Sequence, residues 1–177
     1  MPGIVLIGYR AAGKTTVGRM LAERAKCGFV DTDKEIERRT GMAVSEFFTR
    51  RGEPAFRSME TTLLNELANR NDFFVLATGG GIPVLEENRK ILRQIATPPR
   101  GKVVWLAISP ETALLRMRAD PGNSTTRPAL TPLPPDAEAR RLVCEREPFY
   151  RTVADLVIQV DPLDPEAIAD AILRDTR

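Results

Sequence analysis

The sequence predicts an α/β fold, a three-layer domain in which a central five-stranded parallel sheet is covered by helices on both faces. Three observations carry this. Short apolar, often β-branched runs alternate with longer stretches whose apolar residues recur every three or four positions. A glycine-framed turn joins the first such run to the first helical stretch. No internal repeat and no linker divides the 177 residues, so a single domain is expected over 1–177.

The elements follow in order. Ile4 to Ile7 is a short buried strand ending at Gly8. From Lys14 the period changes, and Val17, Met20, Leu21 and Ala25 line one helical face. A second strand is expected over 27–30, stopping at Asp31, and is followed by helical stretches over 34–40 and 44–50. Pro54 suits the first turn of a further helix whose inner face is Phe56, Met59, Leu63 and Leu67. A third strand over 73–77 runs into Thr78-Gly79-Gly80-Gly81. A helix over 86–95 leads to a fourth strand over 103–108. Ser109-Pro110 then reads as an N-cap and first-turn proline of a helix reaching Arg118. Residues 119–135 are rich in Pro, Gly, Asn, Ser and Thr and long for a structureless connection, which suits a mobile lid or binding loop. Helix resumes over 136–147, and a fifth strand over 156–160 and a helix from Pro165 complete the pattern.

Composition removes several functions. The 26 basic and 24 acidic residues leave a net charge of +2, which gives no electrostatic case for a nucleic-acid or membrane-surface partner. With no histidine, a zinc site or a histidine-dependent triad is not expected. Cys27 and Cys144 lie far apart without a paired motif and read as ordinary buried thiols. The Met1-Pro2-Gly3 start has no basic or long apolar leader, and no apolar run reaches the ~18 residues of a membrane span. A cytoplasmic monomer is therefore expected.

Gly8-Tyr9-Arg10-Ala11-Ala12-Gly13-Lys14-Thr15 matches the phosphate-loop pattern G-x-x-x-x-G-K-[ST] at every specified position, between first strand and first helix. Such a loop wraps phosphate with backbone N–H groups and the helix N-terminus. Gly8, Ala11, Ala12, Gly13, Lys14, Thr15 and Thr16 are thus the expected ATP-binding residues, with Lys14 at the β- and γ-phosphates and the Thr15 hydroxyl on Mg²⁺. The guanine-reading and switch motifs of regulatory GTPases do not occur.

Asp31-Thr32-Asp33 stands at the carboxyl end of the second strand, where open α/β sheets bind ligands. One carboxylate there can hold magnesium through water while the other orients or deprotonates a hydroxyl. The same residues equally suit a helix N-cap and turn.

Taken together, the phosphate loop, Asp31-Thr32-Asp33, Gly52-Glu53-Pro54-Ala55-Phe56-Arg57 with Glu60, and Gly79-Gly80-Gly81 resemble shikimate kinase. Arg127-Pro128 and Arg146-Glu147-Pro148-Phe149-Tyr150 continue the match in order as far as Tyr150. The resemblance implies a nucleoside-monophosphate-kinase-like P-loop fold with a lid over about 119–135, and transfer of the ATP γ-phosphoryl group to the shikimate 3-hydroxyl. It assigns the substrate carboxylate to Arg57 and Arg146, the substrate hydroxyl to Asp33, and close backbone approach to Gly79, Gly80 and Gly81. Arginine's planar fork matches a carboxylate, which agrees with that assignment. Lys14, Asp33 and Arg127 are the implied catalytic residues, Arg127 steadying phosphoryl charge from the lid and touching ATP. Phe48 and Phe56 are implied pocket wall.

Some positions depart from the family pattern. The loop interior Tyr9-Arg10-Ala11-Ala12 lacks the further glycine or serine that many members carry, and Ala129 follows Arg127-Pro128 where leucine is more frequent. Either Arg116 or Arg118 is placed to stack on adenine. No hydrophobic run ending in Asp follows the third strand, which leaves Asp31, with Thr15, as the candidate for magnesium. The competing readings are another small-metabolite kinase, such as a gluconate kinase, and a nucleotide-binding regulator without turnover.

Overall fold

The computed structural model describes residues 3–97, 101–119 and 131–175. Five parallel strands form one sheet among these residues: β1 (Ile4–Ile7), β2 (Gly28–Asp31), β3 (Phe74–Ala77), β4 (Lys102–Ala107) and β5 (Leu156–Gln159), in the order β2-β3-β1-β4-β5. Ile4 stands opposite both Val75 and Lys102, so β1 is central and fully buried. The helices are α1 (Lys14–Ala25), α2 (Thr32–Thr40), α3 (Val44–Ala68), α4 (Glu86–Ile95), α5 (Pro110–Ala119), α6 (Pro135–Val153) and α7 (Pro165–Asp175).

The two-residue period of the strands divides the core into two layers. Val5 and Ile7 of β1 join Phe74, Leu76, Val103 and Trp105 against α3 and α4, with Phe47, Phe56, Leu63, Leu64 and Leu92 supplying the helical side. Ile4 and Leu6 face the other way, with Val75, Val104, Leu106 and Ile158, against Val17 and Leu21 of α1 and Ile168 and Ile172 of α7. Helix α6 reaches both layers, through Ala139 and Leu142 in one and Tyr150 and Val153 in the other. The three-layer expectation holds.

The differences from the sequence pattern are local. The stretches expected at 44–50 and from Pro54 are one element, α3, broken at Gly52, whose φ of 79° and ψ of 165° are not helical. That backbone suits glycine because a Cβ is disfavoured at positive φ. Helix α6 runs past the expected end at 147 to Val153 because its inner face continues through Arg146, Tyr150 and Val153, despite Pro148. A short 3-10 turn, Ile82–Val84, follows the glycine run and was not anticipated. Neither cysteine is the buried thiol expected: Cys27 is half-buried and Cys144 lies on the outer face of α6, exposed. Of the segment expected as a lid, 120–130 lies outside the described residues, and with it Arg127. Ala119 ends α5, and Thr131 leads toward α6.

Candidate active site

The phosphate loop leaves the end of β1 and enters α1 at Lys14. Ala11, Ala12, Gly13, Lys14, Thr15 and Thr16 border a cleft of about 530 Å³, together with Asp31, Asp33, Lys34, Thr78 and Arg116. Gly8 contributes differently: its carbonyl and that of Tyr9 each accept from Lys14 Nζ at 2.8 Å, and Lys14 is buried. Ala11 adopts a left-handed backbone, φ 62°, where the missing glycine would sit without strain. The loop therefore keeps its turn with alanine in that conformation.

Arg116 and Arg118 are separated by their surroundings. Arg116 borders the cleft and donates to the carbonyls of Val160 (2.9 Å) and Ala11 (3.3 Å). Arg118 is exposed and pairs with Asp136 at 3.0 Å.

Asp31 is both things the sequence allowed. As N-cap of α2 its Oδ1 accepts from the backbone N–H of Asp33 at 3.1 Å and Lys34 at 3.2 Å. Its Oδ2 accepts the Thr15 hydroxyl at 2.6 Å. A carboxylate and a hydroxyl at the cleft edge form the hard oxygen pair that suits Mg²⁺. Among the described residues no group of three or more acidic, histidine or cysteine side chains could cage a metal, so phosphate and water oxygens would complete the shell.

Asp33 starts the first turn of α2, one residue inside the helix and not on the strand. It borders the phosphate cleft and also a second, smaller pocket lined by Arg10, Val44, Phe48, Phe56, Arg57, Glu60, Gly79, Gly80, Gly81 and Arg146. Every substrate residue expected from the sequence is thus brought to one pocket. Phe56 is wall and core at once, 2% exposed and packed on Phe48 at 4.8 Å between ring centroids.

The glycines matter for packing as well as for backbone access. A Cβ on Gly79 would lie 2.8 Å from Asp33 Oδ1 and from Glu60 Oε1. One on Gly81 would lie 2.5 Å from Arg57 Nη1. Real Cβ atoms do not approach polar groups so closely, so the charged side chains occupy the space that the missing methyls leave. The turn is also tied down by the Tyr150 hydroxyl, which donates to the Gly80 carbonyl at 2.7 Å, and by the Gly79 N–H, which donates to Thr32 Oγ1 at 2.8 Å.

Arg57 is held at both ends of its fork. Nη1 donates to Glu60 Oε2 at 2.7 Å, and Nη2 and Nε donate to Glu53 Oε1 at 2.8 and 3.1 Å. Glu60 is fully buried, and its Oε1 is a buried oxygen with no hydrogen-bond partner among the described residues. Burial pushes its carboxyl up to about 7, with the Arg57 guanidinium pulling downward and Asp33 adding to the rise. The sequence motif contained Glu60 but gave it no role. Arg10 and Glu138 were also missed. Glu138 had a signal, because it shares an inner face at four-residue spacing with Leu142, Arg146 and Tyr150, where an unpaired carboxylate is costly.

A phosphate loop beside a small pocket rich in arginine and carboxylate, with one aspartate common to both, defines a P-loop kinase of small molecules. A model of the shikimate kinase family matches residues 10–177. The chain belongs to the shikimate kinase family. A shikimate kinase from Chromohalobacter salexigens is 42% identical over 177 residues, all of this chain and 93% of that protein. The structure of shikimate kinase from Acinetobacter baumannii in complex with shikimate superposes with a TM-score of 0.87 at 41% identity, covering 98% of this chain and 92% of that one. A gluconokinase from Sinorhizobium meliloti covers 99% of this chain and 91% of its own at a TM-score of 0.60, but with 16% identity it shares the fold alone.

Proposed function

We propose that the chain transfers the γ-phosphoryl group of ATP to the 3-hydroxyl of shikimate, giving shikimate 3-phosphate and ADP in aromatic amino acid biosynthesis. The observation that carries this reading is Asp33, the carboxylate that borders both the phosphate cleft and the arginine-lined pocket. A hydroxyl held by Asp33 faces the phosphate loop while the acid end of the same molecule faces Arg57 and Arg146.

ATP supplies the phosphoryl group, and bound Mg²⁺ offsets charge on its phosphates. Thr15 and Asp31 are the residues that would hold the ion, Asp31 by way of water. The loop N–H groups and Lys14 grip the phosphates, and Arg116, which borders the same cleft, is the arginine available to the adenine. Arg57 and Arg146 fix the substrate carboxylate, and the glycine turn closes on its ring. Asp33 orients the hydroxyl and takes its proton as the new O–P bond forms and the bond to the ADP oxygen breaks. Arg127 adds a cation to the transferring group. In a largely dissociative transfer, this positioning supplies most of the rate.

The chain works as a single-domain monomer in the cytoplasm. No described helix is long and apolar enough to cross a membrane, and among the described residues the large exposed apolar side chains are Val84 and Leu85, adjacent at the start of α4, with Leu115 on α5 and Val157 on β5. Sedimentation at a dimer mass would correct the monomer reading.

The deciding experiment is ADP release by the purified chain with ATP and Mg²⁺, comparing shikimate, gluconate and no acceptor. Shikimate-dependent release that collapses in Arg57→Ala is the expected result. Release with gluconate alone would replace the substrate and keep the kinase.

A further inference from the structure

Arg10 sits in the phosphate loop, yet it borders a different cavity from the residues that follow it. Its neighbours Ala11 and Ala12 border the phosphate cleft, whereas Arg10 borders the acceptor pocket with Arg57 and Arg146. The guanidinium is held from behind. Its Nε donates to the Tyr9 hydroxyl at 3.1 Å, and its Nη2 donates to Glu138 Oε1. Both members of this ion pair are shielded, with side-chain exposures of 16% and 6%.

Glu138 is itself fixed. It lies in the first turn of α6, and its Oε2 accepts from the Thr131 backbone N–H at 2.8 Å and the Thr131 hydroxyl at 3.1 Å. A carboxylate bound through both oxygens cannot swing with its partner. Arg10 is thereby oriented without long-range freedom, and a pre-oriented fork loses less on gripping an anion than a free one.

We propose that Arg10 is a third guanidinium of the acceptor pocket and that Glu138 is the positioning residue that aims it. This rests on the acid-acceptor reading above and extends it: grip on the acceptor depends on a carboxylate that touches no substrate. The ion pair crosses from the loop of β1 to the start of α6, so the phosphate loop and the helix that carries Arg146 share one acceptor-facing device.

The test is a double-mutant cycle on Arg10→Ala and Glu138→Gln, with kcat and KM measured separately for shikimate and ATP. Arg10→Ala should raise the shikimate KM about tenfold, the size of one charged hydrogen bond, and move the ATP KM far less. Glu138→Gln, which keeps an acceptor for Thr131, should raise the shikimate KM by a factor of about 3 or more. In the Arg10→Ala background it should add nothing. An unchanged shikimate KM in Arg10→Ala overturns the proposal, as do effects that multiply in the double variant or fall equally on ATP. If Glu138→Gln does not fold, Arg10→Lys decides. Lysine should leave the shikimate KM raised, because it keeps the charge but not the fork, and full recovery overturns the positioning role. Failure of the underlying reading looks different: the unmodified chain would give no shikimate-dependent ADP at all, and this proposal would go with it.

Discussion

Asp33 and Glu60 meet over Gly79, each with a carboxylate oxygen 2.8 Å from the point that a Cβ there would occupy. Two acidic groups are thus packed into the gap left by one missing methyl. Gly79→Ala should push both aside. We expect shikimate-dependent turnover to fall by about 10² or more, the cost of displacing a positioning group by about an ångström. Nucleotide titration should show ATP binding retained, and turnover within a few-fold of the parent would remove Gly79 from the substrate geometry.

Glu60 predicts a pH dependence of stability. Its folded value near 7 lies above the ordinary 4.5, so the folded state holds a proton that the unfolded state has released between those two values. Unfolding free energy from this group therefore falls as pH rises from about 4.5 to 7, and levels off beyond. The chain has no histidine, the usual titrating side chain of that range, to mask the effect. Thermal melts from pH 4.5 to 8 should show a declining Tm that Glu60→Gln flattens. An identical slope in the variant would assign the effect elsewhere.

Asp33→Asn preserves shape and removes the charge. If Asp33 takes or orients the hydroxyl proton, most turnover should be lost, by about 10²-fold or more, with ATP binding retained. Near-normal turnover in single-turnover assays would leave Asp33 without a part in the transfer.

Asp31 separates two roles because asparagine caps helices as well as aspartate does. Asp31→Asn should melt within a few degrees of the parent. Half-saturating Mg²⁺ should rise by about tenfold or more, as outer-shell ligand changes commonly do. A large loss of Tm with an unchanged Mg²⁺ requirement would make Asp31 a cap alone.

The parts of this site legible in the sequence were those where one residue type meets one demand. Gly13-Lys14-Thr15 and the glycine run carried their chemistry in their spacing, and the strand and helix periods placed them at the right end of the sheet. Arg57 and Arg146 were legible through resemblance. In isolation each reads as one more surface arginine. What stayed hidden depends on contacts between distant segments. The sequence could not say that Glu60 faces Asp33, or that Glu138 crosses to Arg10, because neither spacing is local. Arg116 was separable from Arg118 only once α5 was placed against the cleft. The extent of α6 was missed because Pro148 is a helix breaker by propensity, and the burial of Tyr150 and Val153 outweighs it.

The break at Gly52 has a consequence for the shape of the pocket. In a straight helix, residues eight apart sit about 12 Å from one another along the axis. Phe48 and Phe56, on either side of the break, pack at 4.8 Å between centroids with their planes tilted by 49°, and Phe47 meets Phe56 edge-on at 5.8 Å. The break lets two segments of one helix bring their aromatic rings together beside the pocket. The placing of this aromatic wall therefore depends on a single main-chain joint as well as on the rings themselves.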